Sequence, residues 1–275
     1  MHLRSAGRTR RTAGFLVRVG SAFVLLYVVA APQAGNLPAA PDTPPDREAF
    51  VAGMRKDCRG CDLREANLKR RDLSGADLTG ADLTGAVLHR AKLVNARLDQ
   101  ANLQDANLNK ADLKRASLKG ADLSRALLYG TDLSGANLEG AVMTEVHMAH
   151  GRLTRAKLHG ADMSLSTITE AEMADSDLSR ASLKQSNLSG ANLSRSDLTF
   201  AVLDGAGFVR ARLRGANLRS ASARQTDFYG ADLSDCDLTD GDFRGSRLQQ
   251  ADLDGAVTAG LKTRGAVLVD GTIGQ

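Results

Sequence analysis

Apolar residues return every five positions from residue 63 to residue 253, and this register never slips. Of the 39 consecutive centre positions, 30 are Leu. The small position, two residues before each centre, is Ala in 26 of the 39 cases. The other three positions of each five are almost all Asp, Asn, Ser, Thr, Gly, Lys or Arg. A fixed period maintained over this length predicts a repeat architecture.

A period of five fits neither an α-helix nor a flat β-strand. Five helical residues advance by about 500°, which moves each successive Leu about 140° away from the previous face. Along a strand, side chains alternate with a period of two, so successive leucines would point to opposite faces. The chain is therefore expected to bend every five residues and to wind into a coil, with centre and small positions inside. Gly75, Gly120 and Gly190 follow a centre by two residues, where Gly tolerates the backbone angles of a corner.

The repeated unit reads A-[D/N]-L-x-x, as in Ala76-Asp77-Leu78, Ala101-Asn102-Leu103 and Ala121-Asp122-Leu123. Over residues 58–258 this pattern resembles the pentapeptide-repeat family. The resemblance implies an all-β fold, a right-handed quadrilateral β-helix with four pentapeptides per coil. The 39 pentapeptides would then form about ten coils.

Residues 1–31 differ from the rest of the chain. A basic segment is followed by the apolar run Val19–Ala31; its arginines are Arg4, Arg8, Arg10, Arg11 and Arg18. This order is typical of an export signal, with cleavage expected after Ala30. The alternative is an uncleaved membrane tether through residues 12–31, which are long enough to span a bilayer although Arg18 interrupts them. The protein is accordingly expected to be periplasmic or secreted, or membrane-anchored and facing the periplasm.

All five prolines lie in residues 32–46, which predicts an extended linker. Residues 47–57 are expected to form an N-terminal cap, a short helix with Asp46 as its N-cap. This helix would cover the open first coil with Phe50, Val51 and Met54.

The coil is expected to be least regular from Val142 to Ser176, where four of seven centres are Met and a slight bulge or bend is predicted. Gly151 could compensate for the volume of Val146 in the preceding pentapeptide. Phe208 and Phe228 are 20 residues apart, so they should stack inside the coil. Residues 259–275 are expected to be a C-terminal cap or tail, with a closing strand formed by Val267, Leu268, Val269 and Ile273.

The chain carries 36 basic and 32 acidic side chains, a net charge of +4. Residues 1–31 contribute five arginines and no acid, so the remainder has 31 basic and 32 acidic side chains. The basic excess belongs to the leader, and no nucleic-acid partner is expected.

The side of the coil with centres 63, 83 and onward to 243 carries nine acids and five bases. The side with centres 68, 88 and onward to 248 has two acids and six bases. The second side is the candidate interaction face, although mixed charge is also normal for a solvated wall. Its candidate residues are Lys69, Arg70, His89, Arg90, Lys110, Tyr129, His147, His150, Arg210, Tyr229 and Arg247.

Cys58 and Cys61 form a C-x-x-C motif where the first coil begins. A zinc site would need a second pair of ligands, and a thioredoxin-type motif would need a βαβ context, so a structural role is favoured. In an exported protein a disulfide between these two cysteines is reasonable. Cys236 occupies a small position and is expected to be a core thiol.

His147 and His150 form H-x-x-H without a nearby acidic or Cys partner, a pattern more typical of isolated surface histidines.

No nucleophile elbow, phosphate loop or HExxH motif is present, so no catalytic residue, cofactor or metal site is predicted. The first hypothesis is a non-catalytic scaffold that binds an unknown protein partner outside the cytoplasm. The second is protection of a topoisomerase such as gyrase by mimicry of the DNA duplex, which is known for some members of the family that the repeat resembles. The third is metal binding by surface histidines.

Overall fold

The computed structural model describes residues 15–19, 22–26 and 44–275. Strand β1 (Phe15–Val19) pairs antiparallel with strand β2 (Ala22–Leu26), and both lie in the compact unit Met1–Pro41. The predicted cleavage site after Ala30 lies outside the described residues, and so does most of the predicted linker. Over the ranges just given, no helix combines the length and the apolar character needed to cross a membrane.

The second unit, Asp42–Gln275, contains helix α1 (Pro44–Ala52) followed by a four-sided coil. The residue before each centre, the bridge position, pairs in parallel with the residue 20 positions later, as Asp62 does with Asp82. The Leu63 amide donates to the Asp82 carbonyl at 2.7 Å, and the Asp82 amide donates to the Cys61 carbonyl at 2.9 Å. A separation of 20 residues equals four pentapeptides, as the resemblance implies. The bridges stay isolated because the chain turns after every third residue.

Most corners are two-residue turns closed by a hydrogen bond, such as the Ala66 amide donating to the Leu63 carbonyl at 3.0 Å. The second turn residue has positive φ whether or not it is Gly: φ is 71° at Gly75 and 56° at Asn95. The Asp or Asn at the bridge position accepts from the amide of the first turn residue; the Ser74 amide lies 3.1 Å from Asp72 Oδ1. This local bond explains the repeated Asp and Asn, whose short side chains stabilise turns in this way.

The interior consists of the centre and small positions, as predicted. Leu118 is fully buried and Ala116 is 1 % exposed. Between Val142 and Ser176, where a slight bulge is predicted, the parallel bridges continue without interruption. The stretch is nevertheless less regular, because the amides of Val146, Ser166, Ala171 and Ser176 do not bond to the preceding centre carbonyl. A Cβ built on Gly151 would lie 2.5 Å from Met148 Cγ, so this Gly makes room for the long Met side chain beside it.

Aromatic centres fill the distal interior. The rings of Phe208 and Phe228 stack with centroids 5.2 Å apart, which confirms the prediction. Phe243 stacks on Phe228 at 5.3 Å. The nearby centre Ala223 is also fully buried, so a small residue accompanies the three large rings.

Helix α1 begins earlier and ends earlier than predicted, and Asp46 lies inside the helix rather than before it. Phe50 is fully buried and Val51 packs on the core, but Met54 is 83 % exposed, so its predicted covering role is wrong. Gly53, with φ 84°, follows the helix and turns the chain before Met54.

Arg71 occupies an inward position where Ala is usual. Its guanidinium donates to the carbonyls of Val51 at 2.6 Å and Phe50 at 3.1 Å. These are carbonyls of the last helical turn, which have no partner inside the helix. Arg71 therefore fastens α1 to the coil.

The corner pattern continues to residue 270, beyond the predicted end of the repeats at residue 258. Val267 pairs in parallel with Arg247 and antiparallel with Ile273, so the backbone folds back on itself. Val269 is 43 % exposed and Ile273 61 % exposed, so these two side chains add little to the core.

Candidate interaction face

The basic face comprises the pentapeptides centred on residues 68, 88 and onward to 248. Its bridge positions stack coil on coil, for example Leu127 on His147 and Asp227 on Arg247. Of the eleven candidates, His147 and Arg247 lie at bridge positions, and the other nine occupy the two turn positions that follow each centre. The structure thus places all eleven candidates along one side. Ten of them fall into three groups by position and contacts, and His147, at a bridge position, belongs to none of the groups.

The first group is a basic ladder, formed by Lys69, Arg70, His89, Arg90 and Lys110. Arg70, Arg90 and Lys110 occupy the same exposed turn position in three successive coils. The Arg70 amide donates to the His89 carbonyl at 3.0 Å, which holds neighbouring turns in register. Partial burial of His89 and the charges of Arg90, Lys69, Lys110 and Arg70 lower the pKa of its imidazole. At neutral pH this side chain is therefore held in its uncharged form.

Elsewhere on the coil, equivalent turn positions carry opposite charges in neighbouring coils. Three such pairs join residues 20 apart: Arg125 with Asp105 at 2.8 Å, Lys119 with Glu139 at 2.9 Å, and Arg195 with Asp175 at 2.8 Å. None of the four Lys and Arg residues of the basic ladder forms an ion pair with any residue that the structure describes. The ladder differs from these three pairs, because three successive coils carry a base at the same turn position.

The second group is an aromatic cluster of Leu127, Tyr129 and His150. The Tyr129 and His150 rings meet edge to face with centroids 5.4 Å apart. Lys110 Nζ lies 5.8 Å from the centre of the Tyr129 ring, and His150 Nδ1 lies 3.3 Å from a Glu170 carboxylate oxygen. Leu127 is 38 % exposed and Tyr129 46 % exposed, so the cluster offers an apolar surface with polar edges.

The third group lies near the other end. The Arg247 guanidinium stacks 4.2 Å from the centre of the Tyr229 ring and lies 3.3 Å from Asp227 Oδ2. The guanidinium of Arg247 is therefore already paired with a carboxylate and an aromatic ring of its own chain. Arg210 lies one coil away, with its Cγ near Gly230. This part of the face is consequently less available to a partner than the first two groups.

A model of pentapeptide repeats matches the chain in eight copies between residues 61 and 257, most of its length. The chain belongs to the pentapeptide-repeat family. The family folds as right-handed quadrilateral β-helices, in agreement with the four-sided parallel coil of this member.

Two solved structures show the likeness of this pentapeptide-repeat chain to other members. HetL, a pentapeptide-repeat protein involved in regulation of heterocyst differentiation in the cyanobacterium Nostoc, is 32 % identical, with 82 % of this chain and 97 % of HetL covered and a TM-score of 0.52. A trypsin-treated form of QnrB1, a plasmid-mediated fluoroquinolone resistance protein, is 20 % identical, covering 62 % of this chain and 88 % of QnrB1 with a TM-score of 0.55. The second likeness shows the fold alone. No curated protein sequence matches the chain.

The cysteines of this pentapeptide-repeat protein are buried at two separate places. Cys58 and Cys61 are joined by a disulfide at the start of the coil, with Cα atoms 5.3 Å apart. Cys236 is fully buried, and its Sγ lies 3.0 Å from the Leu213 carbonyl. Burial raises the pKa of the Cys236 thiol to about 12, so the reactive thiolate does not form near neutral pH.

The two histidines of the H-x-x-H motif occupy different positions of the repeat and make different contacts. His147 occupies a bridge position, whereas His150 lies at the corner against Tyr129 and Glu170. In the part of the chain that the structure describes, no three His, Cys, Asp or Glu side chains are grouped to hold a metal ion.

Sequence reasoning missed Leu127, which completes the aromatic cluster. Its signal was present, because an exposed bridge position that usually carries a polar residue here carries Leu. The contact of His150 with Tyr129 joins residues 21 apart, so it could be recognised only after four pentapeptides were assigned to each coil.

Proposed function

We propose that this pentapeptide-repeat protein is a non-catalytic scaffold that acts outside the cytoplasm and binds a protein partner through its aromatic cluster. The exposed pair Leu127 and Tyr129 carries this proposal. Tyr is enriched in protein interfaces, where its ring supplies contact area and its hydroxyl supplies a hydrogen bond. A rigid coil holds both side chains, so little ordering would be required on binding.

The state of the carboxylates supports a role without catalysis. Asp132 and Asp162 accept hydrogen bonds from turn amides, as the repeat requires. Despite partial burial, the hydrogen bonds from Ser134 lower the pKa of Asp132. A general acid needs the opposite, a carboxyl whose pKa is raised towards neutrality. These regular side chains are parts of turns.

The interface is tested by placing a photocrosslinking residue at position 129 in cells that produce the full chain. A control carries the same residue at Lys119, an exposed first turn position on another side of the coil. We expect a discrete adduct from position 129, its loss when Leu127→Asp is added, and no such adduct from position 119. Equal adducts from both positions, or none from 129, would contradict the proposed interface.

Export is tested by fractionating cells that express a C-terminally tagged chain and by measuring the intact mass of the recovered protein. A periplasmic species that begins near Ala31 is expected for a cleaved signal, and a full-length membrane species for an anchor. A full-length soluble cytoplasmic species would overturn export.

DNA mimicry remains the alternative function. A DNA mimic needs an uncompensated anionic surface, but four of the nine acids on the acid-rich side pair with arginines, namely Asp62, Asp82, Asp105 and Asp242. Arg64 Nη2 lies 2.6 Å from Asp62 Oδ2, and Asp242 contacts both Arg224 and Arg244 at 2.7 Å. Inhibition or protection of gyrase supercoiling by the purified chain would favour mimicry over the scaffold role.

A further inference from the structure

We propose that the basic ladder binds the phosphate groups of an anionic lipid surface. This inference goes beyond the scaffold role, because it assigns a second surface and a different kind of partner. It does not depend on the aromatic cluster, whose residues Leu127 and Tyr129 remain free for a protein.

The charge arrangement is the first argument. Lys69, Arg70, Arg90 and Lys110 lie in three successive coils, so their backbones are about 4.8 Å apart from coil to coil. Like charges at this distance repel one another, and none of these four side chains has an acidic partner among the described residues. Other turns of the same coil avoid this cost through pairs such as Arg125 with Asp105. An external anion would remove the repulsion.

The form of the surface is the second argument. All four cations are exposed at a convex corner, where no wall surrounds a small ion. A soluble phosphate bound there would keep most of its water. A planar array of phosphates can instead meet several cations along the straight edge at once. Arg70 and Arg90 offer paired donors that match phosphate oxygens, and the lysines add point charges.

The position of the ladder along the chain is the third argument. It begins within the first coil, and only the predicted linker and helix α1 separate that coil from the predicted signal or anchor of residues 12–31. If that segment stays in the bilayer, the chain tethers the coil to the membrane. Tethering of this kind raises the effective concentration of the second, weaker contact.

The test compares three full-length chains in vesicle co-sedimentation. The ladder variant carries Lys69→Gln, Arg70→Gln, Arg90→Gln and Lys110→Gln. Gln is already present at equivalent turn positions, at Gln100, Gln104, Gln185 and Gln249, so the fold should tolerate these changes. The matched control removes four cations from ion pairs on other sides of the coil: Lys119→Gln, Arg125→Gln, Arg195→Gln and Arg212→Gln.

Each chain is mixed with phosphatidylcholine vesicles and with equal mixtures of phosphatidylcholine and phosphatidylglycerol. Residues 12–31 are the same in all three chains, so any lipid binding by that segment cancels in the comparison. Near an anionic leaflet each Lys or Arg contributes roughly fivefold to partitioning, or about 1 kcal/mol. We therefore expect the ladder variant to bind mixed vesicles at least tenfold more weakly than wild type, while the control stays close to wild type. Binding by wild type should also fall as salt is raised.

Equal loss in the ladder variant and the control would show that only net charge matters, and it would overturn the proposal. Unchanged binding by the ladder variant would overturn it as well. A parallel arm adds inorganic phosphate and follows thermal melting. Stabilisation of wild type by phosphate, without a difference between the two vesicle types, would assign the ladder to a soluble anion and reject the lipid surface.

Discussion

The side chain before each centre Leu connects the local sequence to the coil. Its backbone forms the parallel bridge, while an Asp or Asn side chain accepts from the next turn, as Asp72 does from the Ser74 amide. The centre and small positions do the packing. This division makes the effect of a single substitution depend strongly on its place within the five residues.

Leu118→Ala should leave a cavity in the fully buried interior and lower the free energy of unfolding by about 2–5 kcal/mol. Ala116→Leu should overpack the narrow interior at a cost of about 1–3 kcal/mol. Thermal or denaturant unfolding measures both effects. Lys119→Ala, on the outside, is the control and should change the midpoint little. Neutral behaviour of both inward variants would show that the inward assignment is wrong.

Gly151→Ala should be destabilising by about 1–3 kcal/mol, because the new Cβ would lie 2.5 Å from Met148 Cγ. Gly207→Ala is a matched control, since its Cβ would lie 3.7 Å from the nearest atom, Asn187 Oδ1. Denaturant unfolding compares the two variants. Equal stability of both would mean that Met148 moves aside without cost.

At the scale of elements, the coil and its cap depend on different interactions. Neighbouring coils share the parallel bridges and several buried hydroxyls; Ser166 and Ser186 donate to the carbonyls of Met143 and Met163, each 23 residues earlier. Helix α1 instead depends on Phe50, which is buried, and on Arg71, which bonds the helix end. The cap should therefore open without unwinding the whole coil.

Arg71→Gln should release the end of α1, because the shorter amide cannot reach both carbonyls that the guanidinium contacts. We expect severalfold faster trypsin cleavage within residues 47–57 and little change in the main melting transition. Arg70→Gln, at the adjacent exposed turn position, is the control. Cleavage at the wild-type rate in the Arg71 variant would show that Phe50 and the hydrogen bonds of Arg47 to the coil hold the helix without Arg71.

At the scale of the whole molecule, charge is balanced mainly by pairs along the outer wall. Hydrogen bonds from arginines lower the pKa of Asp62, Asp105, Asp175 and Asp242; the donors are Arg64, Arg125, Arg195 and Arg244. A carboxyl with a lower pKa in the folded state stabilises the fold above its unfolded pKa. That contribution is lost as pH falls through the folded value.

The melting temperature should therefore change little from neutral pH down to about pH 5 and then fall as the pH drops below about 4, the range of the unfolded aspartates. Melting curves recorded across this range measure the effect. Asp242→Asn should reduce the acid-induced fall, because Asp242 contacts both Arg224 and Arg244 at 2.7 Å. A loss of stability on going from pH 8 to pH 5 would contradict this assignment.

Much of the candidate face could be predicted once the period was known, because residues 20 apart must stack when four pentapeptides form a coil. The shared side of Lys69, His89 and Tyr129 follows from counting, given the four pentapeptides per coil that the family resemblance implies. The side-chain contacts of these residues cannot be predicted in this way. The edge-to-face contact of Tyr129 with His150 and the stacking of Arg247 on Tyr229 depend on side-chain rotamers, which the period does not determine.

The sequence by itself determined the repeat and the inward and outward positions, because bending the chain every five residues buries an apolar residue at every fifth position. The stack of Phe208 on Phe228 followed once the family resemblance supplied four pentapeptides per coil. The sequence misplaced α1, and it did not show what Gly151 accommodates or that non-Gly residues also take positive φ at the corners. Only the tertiary structure decided these points. Arg71 bonds the end of α1, Met148 packs over Gly151, and hydrogen bonds between coils hold residues such as Asn95 at positive φ. The bonds of Arg71 and Asn95 join the cap or a neighbouring coil, and the contact at Gly151 depends on the rotamer of Met148, so the local pattern does not determine them.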